Sequence, residues 1–165
     1  DEVGERLKDG ELTSDGKHLS DTSYNKQQTY TTKGGKVVYG GGGIMPDIYV
    51  PIDTSGYTLY YSELSSKGVL NDFVYKYLSL KQAPYKTLGE LLQNFTLPDS
   101  NYAKLQQLAE SRHIHDNERQ AALSRKLIET DLKALLARYL FGDEGFYRAL
   151  NSSDQVIARS IDVLR

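Results

Sequence analysis

Four consecutive glycines, Gly40 to Gly43, stand between a β-branched run and Ile44-Met45-Pro46-Asp47. Such a run costs a great deal of conformational entropy to order, so a folded chain keeps it only where the backbone needs positive φ or passes very close to another group. It matches neither common phosphate-binding pattern. Gly-x-x-x-x-Gly-Lys-Ser/Thr requires a lysine and a hydroxyl where residues 44 to 46 are Ile-Met-Pro, and Gly-x-Gly-x-x-Gly requires a third glycine and a following helix that Pro46 forbids. A bulge or a close strand crossing is the expected role.

Lys36-Val37-Val38-Tyr39 and Asp47-Ile48-Tyr49-Val50 flank the glycines and read as strands, giving a short β-ribbon over about residues 36–50. Residues 1 to 36, rich in Asp, Ser, Thr, Gly and Lys, read mostly as loop, with one helical turn expected over Val3 to Lys8 and a tight turn at Lys33-Gly34-Gly35-Lys36. Two short strands are not stable alone in water, so the ribbon needs a partner layer. Beyond the turn cluster Asp53-Thr54-Ser55-Gly56 the apolar period changes to that of helices. The expectation is an α+β chain, predominantly helical, with residues 1–56 holding the ribbon and residues 57–165 a helical region.

In that region Tyr57, Tyr60, Tyr61 and Leu64 mark one helix face, Gly68 interrupts it, and Val69, Leu70, Phe73, Val74, Tyr77 and Leu78 form a second face that Pro84 ends. Thr87-Leu88-Gly89-Glu90 carries the two polar residues of a capping box, ahead of Leu88, Leu91, Leu92 and Phe95. Pro98-Asp99 opens a helix striped with Tyr102, Leu105 and Leu108, closed by His113-Ile114-His115. The longest helix is predicted from Asp116 to Leu140, with Leu123, Leu127, Ile128, Leu132, Leu135, Leu136 and Tyr139 buried. Arg119, Arg125, Lys126, Glu129 and Lys133 point outward, and Gly142 is the stop. Phe146, Tyr147 and Leu150 add a turn or two. Ser152-Ser153-Asp154-Gln155 then caps a terminal helix with Val156, Ile157, Ile161 and Leu164 on its apolar side.

Twenty Lys plus Arg against 22 Asp plus Glu give a net charge of −2, no electrostatic footprint for nucleic acid or anionic membrane. The absence of cysteine removes thiol nucleophiles, disulfides and zinc–thiolate sites. Among candidate catalytic pairs, Ser23-Tyr24-Asn25-Lys26 has the Ser-x-x-Lys spacing but lies in a polar segment without the core helix such a pair needs. Ser65-Ser66-Lys67 and Ser124-Arg125-Lys126 fit less well. His113 and His115 beside Asp116 would need a third ligand, and His18 is distant in sequence, so solvated histidines at a helix end are expected rather than a metal site. Thirteen tyrosines against four phenylalanines and no tryptophan point to half-buried faces, of which a partner-binding face is one reading and core-edge packing the other. No catalytic residue, cofactor or metal is expected.

The stretch from Val37 through Gly40, Gly41, Gly42, Gly43, Ile44, Pro46 and Asp47 to Pro51 resembles the end of the catalytic core of bacterial carboxyl-terminal processing (tail-specific) serine peptidases. Those enzymes carry Gly-Ile-x-Pro-Asp followed by an apolar strand there. Residues Gly10 to Thr22 resemble an insertion before this motif, and Leu132 to Arg138 with Gly142 to Tyr147 resemble a helical C-terminal extension. The resemblance implies a periplasmic or envelope enzyme with an upstream PDZ domain, cutting polypeptide tails with a Ser-Lys dyad. In that family both dyad residues precede the glycine motif, and neither matches a residue here. Absence of an initiator methionine and of an apolar pattern before residue 36 agrees with a piece of a longer polypeptide. The expectation is therefore a C-terminal fragment, inactive alone, whose partners are the rest of the parent and, by strand exchange, a second copy. The alternative is an autonomous helical interaction module.

Overall fold

The computed structural model describes residues 29–35, 37–39, 48, 50, 53–79, 85–115 and 117–165. The chain falls into two compact units, Asp1–Ile52 and Asp53–Arg165.

In the first unit, β1 (Thr29–Thr31) pairs antiparallel with β2 (Val37–Tyr39), Tyr30 opposite Val38. The Gly35 N–H donates to the Thr32 carbonyl at 2.9 Å and closes the turn between them. β2 falls where the β-branched run predicts it, and its partner among the described residues is the preceding segment, Thr29–Thr31. Ile48 sits in a bend and Val50 in irregular backbone. Closing a hairpin over a short turn orders few residues, which keeps its entropic cost low. Gly40 to Asp47, Tyr49, the Val3–Lys8 turn, Ser23-Tyr24-Asn25-Lys26 and Pro84 lie outside the described residues.

The second unit contains α1 (Leu59–Ser66), α2 (Val69–Phe73) running into a π-helical turn (Val74–Ser79), α3 (Leu88–Asn94), α4 (Asp99–Glu110), α5 (Glu118–Asn151) and α6 (Gln155–Leu164). Together with the ribbon this is the predominantly helical α+β chain that the periodicity predicts. Among the described residues no helix is long and apolar enough to cross a membrane.

α1 starts at Thr58, whose hydroxyl accepts the Tyr61 N–H at 3.2 Å. Tyr57 therefore precedes the helix and is 61% exposed, while Tyr60 and Leu64 carry the buried face. Downstream of α2 the π-helical turn changes the period. Its wider i→i+5 repeat brings Leu78, five residues after Phe73, into the core and leaves Tyr77 exposed, stacked on the Phe73 ring at 5.1 Å. The predicted capping box at α3 is present in a shifted form. The Thr87 hydroxyl accepts the Glu90 N–H at 3.2 Å, and the Glu90 carboxylate accepts from Lys86 N–H at 2.8 Å.

α4 ends in a left-handed residue, His113 at φ 58°. The Ile114 N–H reaches back to the Ala109 carbonyl at 3.0 Å and the His113 N–H to Glu110 at 2.9 Å, a Schellman closure with the following apolar residue, Ile114, fully buried.

α5 is the axis of the unit. Asn117 caps it by accepting the Arg119 and Gln120 N–H groups. Its buried stripe is Ala121, Ser124, Ile128, Leu132, Leu136, with Ala134 and Ala137 beside it, against which α1, α2, α3 and the π-helical turn pack. Leu123 and Tyr139, expected inside, are about half exposed at 48% and 50%. Small residues take the inward positions because they let neighbouring helices come close, which displaces the buried arc from the one that large side chains mark. Glu129, expected outward, is half-buried and its carboxylate accepts the Leu97 N–H at 2.8 Å.

Gly142 breaks α5 at φ 74°, ψ −166°, a conformation essentially reserved for glycine, so the predicted stop is where the helix bends. Helical geometry resumes after it. A Cβ on Gly145 would lie 2.7 Å from the Ala137 carbonyl oxygen, so the second arm needs glycine there to seat against the first. Arg138 ties the bend by pairing with Asp143 at 2.9 Å and standing over the Phe146 ring at 5.4 Å. α6, capped by Asp154, buries none of its residues; Val156, Ile161, Val163 and Leu164 of its apolar side are exposed.

Two expectations follow. Gly142→Ala and Gly145→Ala each destabilise the helical unit by about 1–3 kcal/mol in urea unfolding, the first through backbone strain and the second through backbone overlap. His113→Gly stabilises it by about 0.5–1 kcal/mol, because glycine meets no Cβ penalty in the left-handed conformation.

Candidate functional site

Three helices and the second arm of α5 enclose a cleft of about 210 Å³. Its apolar walls are Leu70 from α2, Leu135 from the first arm of α5, and Phe146 and Leu150 from the second. Its polar groups are Ser65 at the end of α1, Asn71 on α2 and Asp131 on α5. The bend at Gly142 makes this cleft, since a straight α5 would carry Phe146 and Leu150 away from Leu135 and Asp131.

Asp131 is the group of most chemical interest. One carboxylate oxygen accepts the Tyr61 hydroxyl at 2.6 Å, across two helices and 70 residues of sequence. Burial raises the Asp131 pKa above the ordinary aspartate value of 3.8, opposed by that hydrogen bond. Burial, the hydrogen bond and the adjacent charge of Asp131 raise the Tyr61 pKa well above 10, so the phenol remains a donor. Among the described residues Asp131 forms no ion pair, whereas other carboxylates near helix ends do: Asp72 with Arg112, Asp99 with Arg125, Asp143 with Arg138 and Glu144 with Arg148. A half-buried carboxylate with one neutral donor and no cation is an unbalanced charge.

The neighbouring polar contacts hold the frame around it. The Thr58 and Ser124 hydroxyls are 2.6 Å apart, satisfying the fully buried Ser124, and the Gln120 side chain accepts the Tyr60 N–H at 3.1 Å. Arg112 donates to the Lys67 carbonyl at 3.3 Å while pairing with Asp72, fixing the corner between α1 and α2 next to Ser65 and Asn71. A second, more open groove of about 450 Å³ lies between α4 and α5, but its cation, Arg125, is already paired with Asp99 and lies 4.7 Å over the Tyr102 ring.

The residues that sequence reasoning weighed are dispersed. Ser65 lines the cleft, but Lys67 pairs with Glu63 at 2.9 Å. Ser124 is buried, its hydroxyl bonded to that of Thr58 rather than to a lysine. His113 holds the α4 terminus and His115 faces Glu110 at 3.0 Å, both exposed; no group of three or more metal-ligating side chains occurs among the described residues. Gly40, Gly41, Gly42, Gly43, Ile44, Pro46 and Asp47 lie outside the described residues. Sequence reasoning missed Asp131 and its pairing with Tyr61. The local signal was only an acidic residue one turn from Leu127, Ile128, Ala134 and Leu135 on the helix.

The sign of the pH effect follows from the raised pKa. Folded Asp131 keeps its proton at pH values where the unfolded chain has lost it, so its contribution to stability falls as pH rises from 3.8 through the folded value and persists as a cost above it. The stability of Asp131→Asn relative to the wild type should therefore increase over that interval, read from urea unfolding at successive pH values. At the alkaline end Tyr61 has the opposite role: the unfolded phenol ionises from pH 10 and the folded one does not, so stability is lost above pH 10 and Tyr61→Phe lessens that loss.

No curated protein and no solved structure matches the chain. The profile of a family of unknown function (DUF8443) matches residues 60–142, from the second residue of α1 to the bend in α5. That span is half of the chain and holds most of the buried core, and the chain belongs to this family.

Proposed function

We propose that the helical unit is the non-catalytic C-terminal module of a bacterial carboxyl-terminal processing serine peptidase, acting in the periplasm or cell envelope by bracing the enzyme and binding polypeptide. The carrying observation is one of position. The glycine motif that resembles the end of such a peptidase core runs to Pro51, and the compact helical unit begins at Asp53. A module that follows a complete core has no reason to contain the Ser-Lys dyad. The open cleft around Asp131 and the unburied apolar side of α6 favour binding over chemistry.

The second reading, an autonomous interaction module, is favoured by the independence of the helical core. Among the described residues every buried apolar side chain, from Tyr60 to Ala149, lies in the second unit. One experiment separates the two readings. Antibody raised against this chain is used to isolate the cellular polypeptide, which is sized and assayed on a fluorogenic peptide with an apolar C-terminal tail. The peptidase reading expects a polypeptide well above 18.6 kDa whose hydrolysis is abolished by a serine-directed inhibitor, and no hydrolysis by the 165-residue chain alone. A cellular species of 18.6 kDa without hydrolysis overturns it.

A further inference from the structure

We propose that the cleft between α1, α2 and the two arms of α5 is a binding site for a lysine side chain of a polypeptide partner, its ammonium on Asp131 and its alkyl stem along Leu70, Leu135, Phe146 and Leu150. The proposal rests on the reading of the helical unit as a binding module and is independent of the peptidase assignment.

Three observations define the ligand class. The first is charge. Asp131 accepts one neutral hydrogen bond, from Tyr61 at 2.6 Å, and the described residues supply no cation to it. Arg138, the cation over the Phe146 ring, is held by Asp143 at 2.9 Å. The missing partner is therefore positive, and Ser65 and Asn71 on the same rim offer further oxygens to its N–H groups.

The second is the nature of that cation. Calcium takes about 6–8 oxygen ligands and magnesium demands an octahedron, whereas this cleft presents a single carboxylate and no cluster of metal-ligating side chains occurs among the described residues. Four apolar walls instead suit a cation carried on a hydrocarbon stem, as lysine is. Arginine's planar fork gains most from a bidentate carboxylate, and here one oxygen is taken by Tyr61.

The third is size. At about 210 Å³ the cleft is smaller than the roughly 300–1,000 Å³ of sites for drug-sized ligands, and so fits one side chain rather than a metabolite. The rest of a partner would lie across the exposed rim at Ser65 and Asn71.

The test is an NMR titration of the full chain with the blocked lysine amide, its Nε-acetyl derivative and norleucine amide, each to about 10 mM, several times the millimolar Kd expected for one pocket and one ion pair. The expected result is saturable shifts at the Ser65, Asn71 and Asp131 amides with lysine amide only, weakened about tenfold in Asp131→Asn. The Tyr61 hydrogen bond survives in that variant through the asparagine carbonyl, and the comparison of lysine with acetyl-lysine on the wild type needs no variant at all. Equal shifts with acetyl-lysine or norleucine, shifts elsewhere only, the same shifts on adding calcium or magnesium chloride, or none with lysine amide would each overturn the proposal. None of these outcomes alters the peptide-hydrolysis result, so failure of the lysine site and failure of the peptidase reading are distinguishable.

Discussion

The helical unit depends on one stripe of α5, from Ala121 through Ser124, Ile128 and Leu132 to Leu136, because α1, α2, α3 and the π-helical turn all find their buried faces there. Two of its members are too small to contribute much apolar area. Their value is geometric: alanine and serine let helix backbones approach until larger neighbours such as Tyr60, Phe73 and Leu91 interlock around them. The close approach has a chemical condition. A hydroxyl buried at Ser124 must have a partner, and Thr58, already the cap of α1, supplies one at 2.6 Å. Placing α1 on α5 and starting α1 are thus the same event.

That economy recurs at the other helix ends, where backbone groups with no partner in their own helix are satisfied from a different one. Gln120 of α5 accepts the Tyr60 N–H of α1, Arg112 beyond α4 donates to the Lys67 carbonyl that ends α1, and Glu129 of α5 accepts the Leu97 N–H of the α3–α4 connection. Each bond spans tens of residues in sequence, so each helps to fix which helices are neighbours as well as where they end. α6 takes part in none of this. Its first turn is capped by its own Asp154, as in a helix that forms locally, and it buries none of its residues.

Local chemistry was legible and long-range chemistry was not. Thr87, Asp154, Gly142 and the β-branched run Val37-Val38-Tyr39 announce themselves because a cap, a left-handed break or a strand depends on residues within one turn. Leu123 and Tyr139 were misplaced because a count of large apolar residues passes over Ala121, Ser124 and Ala137, and Tyr77 because nothing in sequence reveals a π-helical repeat. Pairing of β2 with Thr29–Thr31 was hidden by the polar character of that segment, which has no burial requirement to advertise it. The Asp131 cleft was invisible for a different reason. It exists only after the bend at Gly142 returns Phe146 and Leu150 to the first arm, and after α1 brings Tyr61 across.

Asp131 is costly to the fold in a way that none of its neighbours is. Asparagine would accept the same Tyr61 hydroxyl without a desolvated charge, and leucine would fill the space against Leu70 and Leu135. Asp72, Asp99, Asp143 and Glu144 each stand beside an arginine, whereas Asp131 has no cation beside it among the described residues. What distinguishes Asp131 from asparagine is its negative charge and a second acceptor oxygen in place of an N–H donor, and among the described residues no cation answers that charge. A desolvated charge that no described cation answers is accounted for by a positively charged group from a partner that reaches into the cleft.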